Sequence, residues 1–176
     1  NNGNLILEDV PNVPEETKRE LKGYQNIRSA SFRGFKPDNE GVFISTRFGD
    51  VGQLHVVDRP LGMRKQVTFF DEPIGSVSVQ PNGGLIAFTM DSGGSENAQI
   101  YVMNPENGRT VLVSDGESRN GSVLWSRDGE KIAFGTTRRN GASHDVWVMD
   151  YKYPEQAKMV FASPDGTSWT PADWSK

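Results

Sequence analysis

His55 and His144 are the only histidines in the chain, and there is no cysteine. The missing cysteines remove thiol nucleophiles and disulfides together. His144 stands between Ser143 and Asp145, three residue types that could together move a proton and attack a carbonyl. Members of such a triad usually meet from separate segments, so adjacency along the chain is weak support for one. His55 lies inside the apolar run Gln53-Leu54-His55-Val56-Val57, where its counterparts in a repeat are Tyr101 and Trp147, which predicts an aromatic packing slot. Asp91-Ser92-Gly93-Gly94-Ser95-Glu96-Asn97 offers oxygen ligands, but it lacks the spaced acids and the glycine position of an EF-hand loop. Nor does it end in the Gly-Lys-Ser/Thr of a phosphate cradle, so it reads as a solvated loop.

The remaining candidates are charged. Asp50, Asp91, Glu96, Arg138, Arg139 and His144 fall in or near corresponding loops, which in the architecture derived below emerge on one face. They form either a solvated rim or a surface that meets a substrate or another domain. Trp125, Trp147, Trp169 and Trp174 could stack on a sugar, but three of them take strand positions in a repeat, which predicts packing. No Gly-x-Ser-x-Gly occurs, so no nucleophile elbow is proposed. No catalytic, cofactor-binding or metal-ligating residue is assigned, and no cofactor is expected.

The elements that would hold these residues are strands. The chain has 176 residues, with 19 glycines and 10 prolines that leave room for short strands and hardly any long helix. Lys and Arg number 19 against 23 Asp and Glu, a net charge of −4, which offers no general field for nucleic acid or anionic lipid. No apolar run approaches the ~18 residues of a membrane span. The lack of cysteine suits either the cytosol or an oxidising compartment.

A repeat organises these strands. Gln53-Leu54-His55-Val56-Val57-Asp58, Gln99-Ile100-Tyr101-Val102-Met103-Asn104 and Asp145-Val146-Trp147-Val148-Met149-Asp150 start 46 residues apart each time. Before them stand Val42 to Thr46, Leu85 to Thr89 and Ile132 to Thr136. After them stand Gln66 to Phe70, Thr110 to Ser114 and Lys158 to Ala162. A further strand ends before a turn at Phe35, Val79 and Trp125, and again at Trp174. In Trp125-Ser126-Arg127-Asp128-Gly129 the glycine supplies a left-handed position for the hairpin.

Four strands per unit with a period in the mid-forties is the signature of β-propeller blades. The expected fold is therefore all-β, an incomplete propeller of about three four-stranded blades plus the start of a fourth, with one short N-terminal helix. A lead-in over residues 1–28 contains a short possible strand, Leu5-Ile6-Leu7, and a helix from Pro14 to Gly23, with acids early, bases late and glycine as its stop. The blades follow over residues 29–72, 73–118 and 119–166, and a fourth begins over 167–176. Closed propellers use ~4–8 blades, so more chain is expected after Lys176, and the first residues, which carry no initiator Met, imply an upstream cleavage or boundary.

The turn-and-strand units resemble the WD-like repeats of TolB-type propellers, which occur in TolB and in the N-terminal domains of prolyl oligopeptidase-type serine peptidases. Arg127 replaces the proline of the usual Trp-Ser-Pro-Asp-Gly-Lys, and the preceding blade reads Val79-Gln80-Pro81-Asn82-Gly83. Gly3 to Glu8, Tyr24 to Phe32, Ser45-Thr46-Arg47-Phe48-Gly49-Asp50 and Gln66-Val67-Thr68-Phe69-Phe70-Asp71-Glu72-Pro73 are similar to bacterial acylaminoacyl-peptidase-like members. That resemblance implies a parent enzyme with a C-terminal α/β-hydrolase domain bearing Ser, Asp and His, which cleaves short peptides or acylated residues. The propeller would restrict access and orient substrate, and alone it would be inactive. The implied partners are that hydrolase domain and a peptide substrate, with self-association through open blade faces as a further possibility. Bacterial members are often exported, so a periplasmic or secreted location is the leaning, with a cytoplasmic one left open. The competing reading is a TolB-like periplasmic propeller that binds proteins without catalysis.

Overall fold

The computed structural model describes residues 8–175, and the strand expected over Leu5-Ile6-Leu7 lies outside them. After the helix α1 (Glu15–Gln25), twelve strands form three antiparallel sheets of four. The first blade contains β1 (Ala30–Phe35), β2 (Val42–Thr46), β3 (Gln53–Val57) and β4 (Lys65–Gln66). The second contains β5 (Ile74–Val79), β6 (Ile86–Met90), β7 (Gln99–Met103) and β8 (Thr110–Leu112). The third contains β9 (Asn120–Trp125), β10 (Lys131–Thr136), β11 (Asp145–Asp150) and β12 (Tyr153–Phe161). Strand order follows chain order within every sheet. The first strands lie side by side, β1 against β5 and β5 against β9, which puts them on the inner side of the ring.

Register confirms the equivalences read from spacing. Ile44 faces His55, Phe88 faces Tyr101 and Phe134 faces Trp147 across the second and third strands. Each first strand carries a bulge, which raises its twist where neighbouring blades crowd together. Gly129 adopts φ +73°, the left-handed position expected of it.

The core lies between sheets. One cluster joins Phe43 and Leu54 of blade 1 to Ile86, Phe88 and Met103 of blade 2. A second joins Ala87, Ile100 and Val102 of blade 2 to Trp125, Ile132, Phe134 and Met149 of blade 3. Fully buried side chains of this size stabilise by roughly 1.5–3 kcal/mol each. The inner seam repeats as well. A Cβ on Gly34 would lie 2.9 Å from Val79 Cγ2, so only glycine lets the two strands approach there. One blade further on, the Trp125 indole Nε1 donates to the Ser78 carbonyl at 3.0 Å.

Two expectations need correction. The sequence pattern predicts fourth strands over 66–70 and 110–114, but β4 ends at Gln66 and β8 at Leu112. Val67 N still donates to Leu54 O, and Val113 N to Ile100 O. The return bonds go to side chains: Leu54 N donates to Thr68 Oγ1 and Ile100 N to Ser114 Oγ, both at 2.9 Å. A hydroxyl replaces the next carbonyl, and the ladder stops. β12 departs in the other direction, starting at Tyr153 and passing two register shifts. The helix starts one residue later than expected and passes Gly23 to end at Gln25, where Asn26 N closes on Lys22 O.

No strand forms in residues 162–175, yet the segment docks as a first strand would. Ile74 N donates to Gly52 O, Asn120 N to Ala98 O and Trp169 N to His144 O, at 3.1, 3.0 and 2.9 Å. Trp174 Nε1 reaches Leu124 O at 3.4 Å, repeating the contact of Trp125 with Ser78. Trp169 itself is 43% exposed, so the packing expected of its ring is only partly realised, against Phe161.

Trp125 is 4% exposed and meets Tyr151 edge-on. Trp125→Ala is expected to cost about 3–5 kcal/mol, measured by urea denaturation. A loss below about 1 kcal/mol would show that the ring is not core.

Candidate functional site

The six candidate residues all lie in the loops between second and third strands, which leave the same edge of each sheet. No hydrogen bond or ion pair joins candidates from different blades among the described residues. Asp50 is exposed in the first loop. Asp91 closes its own loop by accepting from Ser92 N, Ser95 Oγ and Glu96 N at 2.6, 2.6 and 3.0 Å. The Ser95 hydroxyl and these amides hold its carboxyl below the ordinary value. Glu96 sits exposed at φ +61°, and Glu72 Oε1 of the preceding blade accepts from Gly93 N. The loop is exposed, as its sequence predicted, and it is closed by its own hydrogen bonds and by Glu72.

Arg138 and Arg139 separate into two roles. The Arg138 Nε lies 3.0 Å from Asp115 Oδ2, linking the third blade's loop to the connection out of the second, and the guanidinium stands 5.3 Å from the Trp147 ring centroid. Arg139 makes a two-pronged contact with Asp145, Nε to Oδ2 at 2.6 Å and Nη2 to Oδ1 at 3.0 Å. Asp145 is fully buried and also accepts from Ser163 N at 2.8 Å. Those bonds, Arg139's first, hold its carboxyl below the usual range.

This geometry disposes of the serine–histidine–aspartate arrangement that adjacency allowed. Ser143 Oγ accepts from Arg139 Nη2 and Asn140 Nδ2. His144 Nδ1 instead meets Ser168 Oγ at 3.0 Å, and burial, then Arg119, push its imidazole below the ordinary value. Ser143, His144 and Asp145 are each engaged with other partners. His55 occupies the packing slot expected of it: it is 1% exposed, 5.2 Å from the Phe48 ring, and lowered in pKa by burial.

What the sequence did not reveal is a polar pin in every blade. Gln53, Gln99 and Asp145 open the third strands and are all buried. Gln53 exchanges hydrogen bonds with Phe70 N and O and donates to Glu72 O. Gln99 accepts from Ser114 Oγ and Gly116 N and donates to Asn97 O and Ser118 O. Each pin thus fastens the connection that leaves its own blade for the next. The signal was present in the 46-residue spacing of a polar residue at the head of an apolar run.

No family model matches the sequence, and no curated protein matches it. Among solved structures, TolB from Acinetobacter baumannii superposes with a TM-score of 0.65 at 18% identity, over 80% of this chain and 34% of that one. The fold is that of a β-propeller, as in TolB. A prolyl endopeptidase matches with a TM-score of 0.62 at 14% identity, over 78% of this chain and 23% of its own. A puromycin hydrolase matches with a TM-score of 0.57 at 18% identity, over 76% and 21%. The chain therefore spans about a third of the TolB structure and less than a quarter of the two hydrolases. Among its described residues no helix is long and apolar enough to cross a membrane.

Asp145→Ala should destabilise the propeller by about 1–3 kcal/mol at pH 7, since it leaves the buried Ser163 N without an acceptor. Because the folded carboxyl titrates below its unfolded value of about 3.9, its stabilisation is present above that value and lost as pH falls through the folded pKa. Acid unfolding followed by circular dichroism should accordingly be less steep in Asp145→Asn than in the parent below pH ~4.

Proposed function

We propose that this propeller segment serves a serine peptidase, restricting and orienting peptide or acyl-peptide substrate for an α/β-hydrolase domain carried elsewhere in the same polypeptide. The observation that supports the reading is where the two segments most similar to acylaminoacyl-peptidase-like proteins come together. Phe48 of Thr46-Arg47-Phe48-Gly49 covers His55, while Gln53, two residues before His55, pins Phe70 and Glu72 of Gln66-Val67-Thr68-Phe69-Phe70-Asp71-Glu72-Pro73. Two stretches apart in sequence build one corner of blade 1. The fold shared with a prolyl endopeptidase and a puromycin hydrolase fits the same reading, and an exported location is proposed with it. The six loop residues Asp50, Asp91, Glu96, Arg138, Arg139 and His144 then face the substrate or the hydrolase domain.

On this reading the 176-residue chain shows no turnover of aminoacyl-nitroanilides, whereas a version extended into the hydrolase domain does. Turnover by the short chain that a serine-directed inhibitor abolishes would sink the proposed division of labour.

A second reading has its own support, since TolB gives a TM-score of 0.65, beside 0.62 for the prolyl endopeptidase and 0.57 for the puromycin hydrolase. In that reading the face binds proteins and no catalysis follows. The coding frame beyond Lys176 separates the two: further blades leading into Gly-x-Ser-x-Gly with later Asp and His favour the peptidase, and a stop after the propeller favours the binder.

The face of blade 1 turned away from blade 2 offers one more partner, a second copy. Phe35 is 62% exposed beside the half-buried Val42 and Val57, whereas the equivalent Trp125, Ile132 and Met149 are buried at 4%, 0% and 1%. Light scattering at high concentration should report association of the isolated chain through that face, and a strict monomer would count against it.

A further inference from the structure

We propose that Arg28, Arg47 and Arg64 form an oxyanion-binding site where the lead-in crosses blade 1. Two of the side chains, Arg47 and Arg64, come from separate segments of blade 1 and bond the main chain of the lead-in, and the third, Arg28, belongs to that lead-in. Arg47 Nη2 donates to Gln25 O. Arg64 Nη1 donates to Arg28 O at 3.1 Å and to Thr46 Oγ1 at 3.2 Å. Arg28 stacks its guanidinium over Phe48, 4.8 Å from the ring centroid. Thr46 Oγ1 in turn donates to Ser29 O at 2.7 Å, fixing the lead-in against the end of β2.

Among the described residues the cluster makes no ion pair. Among the described residues none of the three guanidiniums has a carboxylate within 4.0 Å, whereas Lys36, Lys65, Arg138 and Arg139 all do. Asp50, in the same loop as Arg47, pairs with none of them. Asp71 and Glu72, in the segment that Gln53 pins at this corner, pair with none of them either, and His55 is buried beneath Phe48. This concentration of positive charge occurs in a chain whose net charge is −4.

The donors are held in place and not used up. A guanidinium has five N–H groups in a rigid fork, and the contacts above occupy one on Arg47 and one nitrogen of Arg64. Arg28 spends none on the main chain. All three residues are exposed, so the free edges of the forks remain open to solvent. Two oxygens of a carboxylate or a phosphate match such a fork in a two-pronged contact, and one bound oxyanion would relieve the mutual repulsion of three like charges. The positions of Arg47 and Arg64 are fixed by backbone carbonyls before a ligand arrives, which lowers the ordering cost of binding. The site does not depend on the peptidase reading.

The test titrates the 176-residue chain at low salt with N-acetyl-diglycine carboxylate, with its C-terminal amide and with inorganic phosphate, followed by calorimetry or NMR shifts. Saturable binding of the carboxylate, the phosphate or both, with no saturation by the amide, is expected, and the tighter of the two identifies the source. Arg28→Gln should weaken that binding at least tenfold, and because Arg28 holds no backbone group, the near-ultraviolet circular dichroism should be unchanged. Arg64→Lys should retain only part of the affinity, while Arg19→Gln, on the exposed helix, should retain all of it. Equal binding of carboxylate and amide, no saturation by either anion, or an unchanged affinity in Arg28→Gln would overturn the proposal.

Discussion

A four-stranded sheet that is apolar on both faces has to be covered twice, and the packing of one blade on the next supplies that cover. The chain satisfies the constraint through two seams, Phe43 and Leu54 against Ile86 and Met103, then Ala87, Ile100 and Val102 against Ile132, Phe134 and Met149. Most other features follow from the closeness of these seams. Gly34 is present because Val79 occupies the space of a side chain, and Trp125 can hydrogen-bond Ser78 because the inner strands touch. At the outer strands the blades diverge and the demand relaxes, which is why β4 can be two residues long while β12 runs to nine.

Polar residues do a different job. Burying a side-chain amide or a carboxylate is unfavourable unless its partners are supplied, and Gln53, Gln99 and Asp145 are supplied by the connections they fasten. The third pin differs in chemistry, for a buried carboxylate needs a counter-charge and Arg139 provides it. Arg139 therefore acts locally as a structural cation, even though it stands in a loop that points toward the candidate face. Arg138, one residue earlier, spans to Asp115 of the neighbouring blade. Charge on this face is thus partly consumed in joining blades, whereas Asp50 and Glu96 stay exposed and without an ion pair among the described residues.

Spacing made the third strands legible, and β3, β7 and β11 begin at Gln53, Gln99 and Asp145 as expected. It could not locate the ends of the fourth strands, because Thr68 and Ser114 end the ladder by bonding Leu54 and Ile100, partners distant in sequence. Nor could Gly23 be recognised as a passing residue, since the amide of Asn26 closes the helix beyond it. The candidate face was legible as a set of loops but not as a set of contacts. Whether Ser143, His144 and Asp145 address one another depends on Arg139 and Ser168, and nothing local announces either.

The repeated seam also sets how disturbance spreads. Each blade is fastened to its neighbours through contacts between inner strands and the same clasp onto the residue before the third strand. Stability in such an array behaves as a sum over units and nearest-neighbour junctions. Blade 2, held by two junctions, becomes the keystone of the described chain, and blade 1 can fray at its uncovered face without loosening the junction around Trp125. Local opening, as hydrogen exchange would record it, would then grade along the arc, slowest at the centre and fastest where Phe35 meets water.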